Sequence, residues 1–292
     1  AAPAEAAAPQ AAYTDVKLTN IRKVISKSMM GSLQGMAQLT LNASFDATEI
    51  LAYRKKMKEN AEKLGLANIT LNDIVLYAVS RTLLNHKALN AHLLDDTMRY
   101  FTDVNLGMAV DTERGLMVPT IFGCNKLSLN EIATATKSLA SDCQKGSISP
   151  DKLSGGTFTV SNLGSLGIES FTPVINPPQT GILGVCTTVN RVREVGGVLK
   201  TYPCMTLSLT FDHRAIDGAP AAKFLKELCT NLENFSALLA SLEIGIPTQV
   251  KEEILKCNLI NSDSSWLPIL KNAEVNAYFN GEIQFALTLS NI

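Results

Sequence analysis

Apolar positions begin to repeat at Asn20. In IRKVISKSMMGSL, Ile21, Val24, Ile25, Ser28 and Met29 fall at helical spacing, which predicts a helix with one apolar stripe. The period then changes. In AQLTLNASFD, Leu39, Leu41, Ala43 and Phe45 alternate with polar residues, the pattern of a strand with one buried face. Asp46 offers a carboxylate to cap a helix that carries Ile50, Leu51, Met57 and Leu64 on one side. Thr70 and Asp73 have the spacing of a capping box and open IVLYAVSRTLL, a helix apolar enough for the core. MRYFTDVNLGMAVDTERGLMVPTIFG alternates on both sides of Thr112 to Gly115, which predicts two strands joined by a tight turn. Ser128 and Glu131 repeat the capping box and start a helix to about Ser141. TFTVSN, GILGVCTTVNRVREVGGVL and TYPCMTLSLTFDH supply further strands, with Gly196 and Gly197 as a hairpin turn. APAAKFLKELCTNL, after Gly218, is a last amphipathic helix. Strands and helices mix without regular β-α-β alternation, so the expected class is α/β in the broad sense (α+β), a mixed β-sheet backed by helices.

The two ends differ from this pattern. AAPAEAAAPQAA has the composition of an extended, semi-stiff interdomain linker over residues 1–12. Residues 13–240 read as one catalytic-sized domain. Residues 241–292, which include Trp266, the only tryptophan, carry an acidic excess and no motif, and form an unassigned C-terminal extension.

Composition narrows the function. With 26 Lys plus Arg against 27 Asp plus Glu in 292 residues, no basic excess is available to neutralise a phosphate backbone, and nucleic acid is not an expected partner. The six cysteines, at 124, 143, 186, 204, 229 and 257, include no CxxC pair. With three histidines in the chain, neither a zinc-ligand spacing nor a disulfide framework is legible, and no metal is expected. No run reaches the roughly 18 apolar residues of a membrane span, so no membrane partner is expected.

Two stretches carry candidate chemistry. His213 lies in DHRAIDG, between the strand-like TLSLTF and the glycine that opens the last helix, with Asp212 and Arg214 beside it and Asp217 four residues on. Ionisable groups at a strand end are fixed by the sheet yet reachable from solvent. A histidine beside an aspartate and an arginine is nevertheless more often a satisfied polar residue than a base. In GGTFTVSNLGSLG, Ser161 and Asn162 end a strand. The glycine spacing fits neither nucleotide fingerprint. A serine and an asparagine there can instead donate hydrogen bonds to a developing oxyanion.

Taken together, DHRAIDG, GGTFTVSNLGSLGIESFTPVINPPQTGILGV, GLMVPTI and IRKVISKSM resemble, in order from about Lys17 to Leu239, the catalytic core of the dihydrolipoyl acyltransferases of 2-oxo-acid dehydrogenase complexes. The resemblance implies the CoA-dependent acyltransferase fold shared with chloramphenicol acetyltransferase. It also implies homotrimers with active sites between subunits, packed further into cores of twenty-four or sixty subunits. Coenzyme A enters as a substrate, and the lipoyl group is carried on a domain absent from this chain. The 2-oxo-acid dehydrogenase and dihydrolipoyl dehydrogenase components are the implied partners, and bacterial cytoplasm or mitochondrial matrix the implied location.

Residue by residue, His213 matches the family's general base, Ser161 the serine that donates to the thioester oxyanion, and Asp217 the second acid of the motif. Arg22 matches the position that pairs with this acid in the related acetyltransferase, so an Asp217 to Arg22 ion pair is expected. Asn162 and Arg214 line the site. An unperturbed thiol titrates near ~8.5, so coenzyme A needs a base at the moment of attack, and a neutral imidazole supplies one. No acyl-enzyme is involved, and Cys186 and Cys204 read as strand or core residues.

The chain departs from the family around TIFGCNKLSL, where relatives carry a basic residue close to Phe122, and the resemblance stops beyond Leu239. SFTPVINPPQ and IDGAPAAKFL look closer to the acetyltransferases of pyruvate dehydrogenase than to succinyl or branched-chain types. Two other readings stay open: a non-catalytic core or binding subunit, against which the retained His213 speaks, and an antibiotic-modifying acetyltransferase, against which the Ala/Pro tether and SNLG speak.

Overall fold

The computed structural model describes residues 13–243, so the linker expected over residues 1–12 and nearly all of the 241–292 extension, including Cys257 and Trp266, lie outside the described residues. The elements run α1 (Asn20–Gly35), β1 (Gln38–Asp46), α2 (Thr48–Leu64), α3 (Leu71–Thr82), β2 (Ala91–Leu94), β3 (Thr97–Tyr100), β4 (Leu106–Met108), β5 (Thr120–Ile121), α4 (Leu129–Lys145), β6 (Phe158–Asn162), β7 (Gly181–Val195), β8 (Val198–Asp212), α5 (Gly218–Glu233) and α6 (Phe235–Glu243).

Local chemistry sets the helix starts. Thr70 Oγ1 accepts from the Asp73 amide while Asp73 accepts from the Thr70 amide, closing both arms of the capping box at α3. Ser128 and Glu131 do the same at α4. At α2 the cap sits one residue later than expected: Ala47 is the N-cap, and Asp46 reaches forward to accept from the Thr48 amide at 2.9 Å. The α4 helix outruns Ser141 because its buried stripe continues through Cys143, and Gly146, at φ 69°, closes it. Left-handed backbone of this kind is cheap for glycine alone.

Six strands form one sheet in the order β1-β8-β7-β6-β4-β5, with β4, β6 and β7 mutually parallel and the other neighbours antiparallel. The mixed sheet is the expected one. The stretch around Thr112 to Gly115 differs in part. β4 and β5 do pair across a turn that the Gly115 amide closes on the Thr112 carbonyl at 2.9 Å, but β3 leaves to form a separate hairpin with β2. The alternation is broken by polar side chains that satisfy backbone instead of continuing a ladder: Asn105 Oδ1 accepts from the Gly123 amide and Asn125 Oδ1 from the Val104 amide.

The two sheet faces are chemically distinct. Phe45, Phe158, Val160, Leu183, Val185, Leu207, Leu209 and Phe211 point to the core, which α3 and α5 close with Ile74, Phe224 and Leu228. Each such buried side chain stabilises the fold by roughly 1.5–3 kcal/mol. The opposite face is polar: Thr40 and Thr210 hydroxyls meet at 2.7 Å, Ser44 and Thr206 at 3.3 Å. On this face lie the N-terminal arm and the loop after β6, tied together where Ser32 Oγ donates to the Ile175 carbonyl at 2.6 Å and accepts from Gln38 Nε2. Ser32 is the one buried residue of α1, whose apolar positions Ile21 and Val24 are exposed. β7 and β8 run on past the sheet as a ribbon turned at Gly196 and Gly197, both at positive φ as that hairpin requires.

Candidate active site

Ser161 stands at the C-terminal end of β6, paired with Gly184 of β7, which in turn pairs with Ser208 of β8. It therefore faces the polar side of the sheet. Its hydroxyl has no hydrogen-bond partner among the described residues and remains free to donate. Asn162, one residue on, faces the other way. Its amide donates to Asn72 Oδ1 at 3.0 Å and its carbonyl accepts from the Gly164 amide at 2.9 Å, which joins the end of β6 to the start of α3.

His213 follows the last residue of β8. Its amide donates to the Ala37 carbonyl at 2.8 Å, and its ring leans on Phe211 with centroids 5.7 Å apart. The side chain is 44% exposed, and Nδ1 lies 4.0 Å from a carboxylate oxygen of Asp217. That distance is too long for a hydrogen bond. Asp217 is the N-cap of α5, where the helix terminus favours a negative charge.

The expected Asp217 to Arg22 pair is absent among the described residues. Arg22 lies on α1, its guanidinium against the Gly115 turn, and Asp217 is 85% exposed beside His213. The arginine and acid that do meet are Arg214 and Asp212. Arg214 Nε and Nη2 both donate to the Asp212 carboxylate, at 3.0 and 2.6 Å, and the Ala37 and Arg214 amides donate to the same group. Arg214 is thus a structural clamp at the strand end, where site lining was expected. Burial pushes the Asp212 carboxyl up, yet the hydrogen bonds and charge of Arg214, with the Ala37 amide, outweigh it and hold it below the usual aspartate range. Its motif gave no separate signal for Asp212, because an acid next to the histidine reads as a partner of the histidine.

Register separates the two candidate groups within one chain. Ser161 shares a row with Gly184 and Ser208, whereas His213 lies five residues further along β8. At ~3.3 Å per residue and ~4.8 Å per strand, the two Cα positions are about 20 Å apart. One chain therefore cannot bring both to a single carbonyl carbon.

Beside Asn162 opens a cleft of about 830 Å³ between α2, α3, α4 and the ends of β4, β6 and β7, lined by Arg54, Asn72, Lys137, Asn162, Thr187 and Thr188 among others. Two cations face it. The one carboxylate in its lining, Asp73, is committed to Thr70 and Thr136. Arg54 Nε is buried without a partner. Neither cation belongs to a motif that marks it in the sequence. They lie on different helices, and only tertiary packing brings them together.

Among the described residues, the two other histidines and the cysteines have structural surroundings of their own. His86 pairs with Glu227 at 2.8 Å and stands edge-on to Phe224; His92 meets the Gly156 carbonyl at 2.9 Å and stands edge-on to Phe101. Cys186 and Cys204 are buried strand residues, as expected. Burial pushes the thiols of Cys124 and Cys229 up to about 12, so neither is a ready nucleophile. Among the described residues no cluster of three His, Cys, Asp or Glu is placed to hold a metal, and no helix is long and apolar enough to cross a membrane.

The family model of the 2-oxoacid dehydrogenases acyltransferase catalytic domain matches residues 10–240. The chain belongs to this acyltransferase family. It is 39% identical over 225 residues to the dihydrolipoyllysine-residue acetyltransferase component of the acetoin cleaving system of Bacillus subtilis, covering 77% of this chain and 56% of that protein. It is 35% identical over 227 residues to the succinyltransferase component of the 2-oxoglutarate dehydrogenase complex of Rickettsia typhi, covering 78% and 57%. The chain thus spans little more than half the length of these relatives. Among solved structures, the dihydrolipoamide acetyltransferase of Azotobacter vinelandii superposes with a TM-score of 0.75 at 32% identity, covering 78% of this chain and 94% of that one. A serine, a histidine and an asparagine are named in the catalytic mechanism of that enzyme, the serine fifty-two residues before the histidine and the asparagine four after it. For this acyltransferase-family chain, the match also identifies the expected mixed sheet and helix layer as that of the dihydrolipoyl acyltransferase cores.

Proposed function

We propose that this chain transfers an acetyl group between a dihydrolipoyl arm and coenzyme A, with His213 as general base. The observation that carries the reading is spacing: Ser161 and His213 are fifty-two residues apart and Asp217 is four beyond His213, the intervals named for the Azotobacter vinelandii enzyme. Asp217 stands where that enzyme has an asparagine.

His213 takes the proton from the coenzyme A thiol as the sulfur attacks the thioester carbon. The carbonyl electrons move to oxygen, and Ser161 Oγ donates a hydrogen bond to the oxyanion. Collapse of the tetrahedral intermediate breaks the bond to the lipoyl sulfur, and that leaving group takes the proton back from His213. General base catalysis contributes about 10²- to 10⁴-fold, and loss of an oxyanion donor costs ~3 to 4 kcal/mol. Because Ser161 and His213 stand at opposite ends of one sheet, each site takes its serine from one copy and its histidine from the next. A homotrimer is the smallest ring built on such a heterologous contact that the family resemblance implies. Asp217, 4.0 Å from the imidazole, orients His213. The cleft supports the reading from the other side: Arg54 and Lys137 suit the phosphates of coenzyme A, and Asn162, next to Ser161 in the chain, lines the same cleft.

Residues 1–12 serve as a tether to a lipoyl-bearing module, and the trimers belong to the core of a 2-oxo-acid dehydrogenase complex in bacterial cytoplasm or mitochondrial matrix. Succinyl transfer is the second reading, favoured by the Rickettsia typhi relative. The test is thioester exchange between coenzyme A and acetyl- or succinyl-dihydrolipoamide. We expect acetyl to be preferred and His213→Ala to lower its rate by about two orders of magnitude or more with the oligomer intact. Full activity in that variant removes the base assignment, and a preference for succinyl removes the acetyl assignment.

A further inference from the structure

Gly184 is the residue of β7 that faces Ser161. A Cβ built on it would lie 2.7 and 2.8 Å from two carbons of the Phe171 ring and 3.3 Å from Ser208 Cβ. The ring therefore rests on bare backbone, on the polar face of the sheet and next to the Ser161 row. Its loop is pinned there. The Thr187 amide donates to the Ile168 carbonyl at 2.7 Å, and the Phe171 amide points at Ser208 Oγ at 3.5 Å. Cys186, two residues after Gly184, is buried with its Sγ 3.6 Å from the same hydroxyl. An aromatic ring seated against glycine in an otherwise Ser/Thr-lined surface fills space that a polar side chain or a longer acyl chain would otherwise occupy.

We propose that Phe171, seated on Gly184, is the wall that limits the length of the acyl group presented to Ser161, so that two-carbon acyl groups fit and longer or charged ones do not. This rests on the assignment of Ser161 as the oxyanion donor. The carbonyl oxygen held by Ser161 fixes one substituent of the thioester carbon, and the acyl tail must then run along the sheet face, where Phe171 stands. The ring excludes a longer chain by volume and a succinyl carboxylate by giving it no hydrogen-bond donor. Gly184 is part of the same device, because any side chain there drives the ring from its seat.

The test compares kcat/KM for acetyl-, butyryl- and succinyl-dihydrolipoamide in the assembled wild type, Phe171→Ala and the gentler Phe171→Leu. We expect Phe171→Ala to raise the butyryl-to-acetyl ratio by about tenfold or more, since one methylene in a fitted pocket is worth about 10- to 200-fold, and Phe171→Leu to raise it less. Oligomer size and melting temperature are followed in each, and Phe171→Leu keeps the test open if the alanine variant does not assemble. An unchanged ratio with acetyl transfer intact overturns the acyl-wall assignment while leaving the proposed reaction standing. No transfer of any acyl group by the wild type overturns the reaction itself.

Discussion

Arg214 holds the fully buried carboxylate of Asp212 through two guanidinium nitrogens, and His213 is the residue between them. The clamp fixes the backbone on both sides of the imidazole. The Asp212 carboxylate also receives the Ala37 amide, and the His213 amide reaches the Ala37 carbonyl, so the start of β1 is bound into the same knot. Positioning of the histidine therefore rests on an ion pair that never touches its ring.

That pair makes stability depend on pH. The folded Asp212 is held below the ordinary aspartate range, so it binds protons less readily folded than unfolded. Its contribution is fully present above the unfolded value of ~3.9 and is lost as pH falls through the lower folded one. Asp212→Asn should cost about 1–3 kcal/mol near neutrality, since a buried, multiply hydrogen-bonded acceptor is weakened, and should flatten the acid limb of stability. Urea midpoints between pH 3 and 7 read both effects. An unchanged acid limb would show that this carboxylate does not control it.

Asp217 should behave differently. It is 85% exposed and 4.0 Å from His213, a geometry in which screening leaves little stabilisation. Asp217→Asn should leave the melting temperature unaltered and keep kcat within about tenfold, whereas His213→Ala loses about a hundredfold or more. A collapse of the fold in Asp217→Asn would mean that the acid holds the chain and not the imidazole.

Much of this was legible from local signals. The capping boxes at Thr70 and Ser128, the alternation in β1 and β8 and the paired glycines at 196 and 197 each state their structure within a few residues, because the cause is local. The site was legible only as two fragments. SNLG and DHRAIDG name Ser161 and His213, but nothing in either says that they occupy opposite ends of a sheet, since that depends on the β6-β7-β8 register. The Asp217 to Arg22 pair failed for a related reason: Arg22 is on α1, which contributes one buried residue to the fold of its own chain. Arg54 and Lys137 were hidden because neither helix marks its cation as special, and Phe171 because a ring on glycine looks like any core contact.

The cation pair in the cleft yields a third expectation. Arg54 Nε is buried without a partner, and a buried donor left unpaired costs free energy that an incoming anion relieves. Arg54→Ala should raise KM for coenzyme A about tenfold with kcat little changed, because a phosphate contact far from the reacting sulfur is equally strong in ground and transition states. Pantetheine, which has no nucleotide phosphates, should be insensitive to the substitution. Equal losses with both thiols would mean that Arg54 supports the helix and does not meet the substrate.

The division of Ser161 and His213 between copies predicts complementation. Ser161→Ala chains retain His213, and His213→Ala chains retain Ser161, so each pure assembly lacks one half of every site. In a randomly mixed assembly, a site is whole when its serine comes from a His213→Ala copy and its histidine from a Ser161→Ala copy. About a quarter of sites meet both conditions if the contact is head-to-tail. Co-expressed or co-refolded variants should therefore recover about a quarter of the wild-type rate, although neither variant alone is appreciably active. A double variant mixed with an equal share of wild type distinguishes this from simple dilution, because it too leaves about a quarter of sites whole, against about half for a site contained in one chain. Recovery near zero in the first mixture together with half in the second would put serine and histidine in the same copy, which the strand register of this fold forbids.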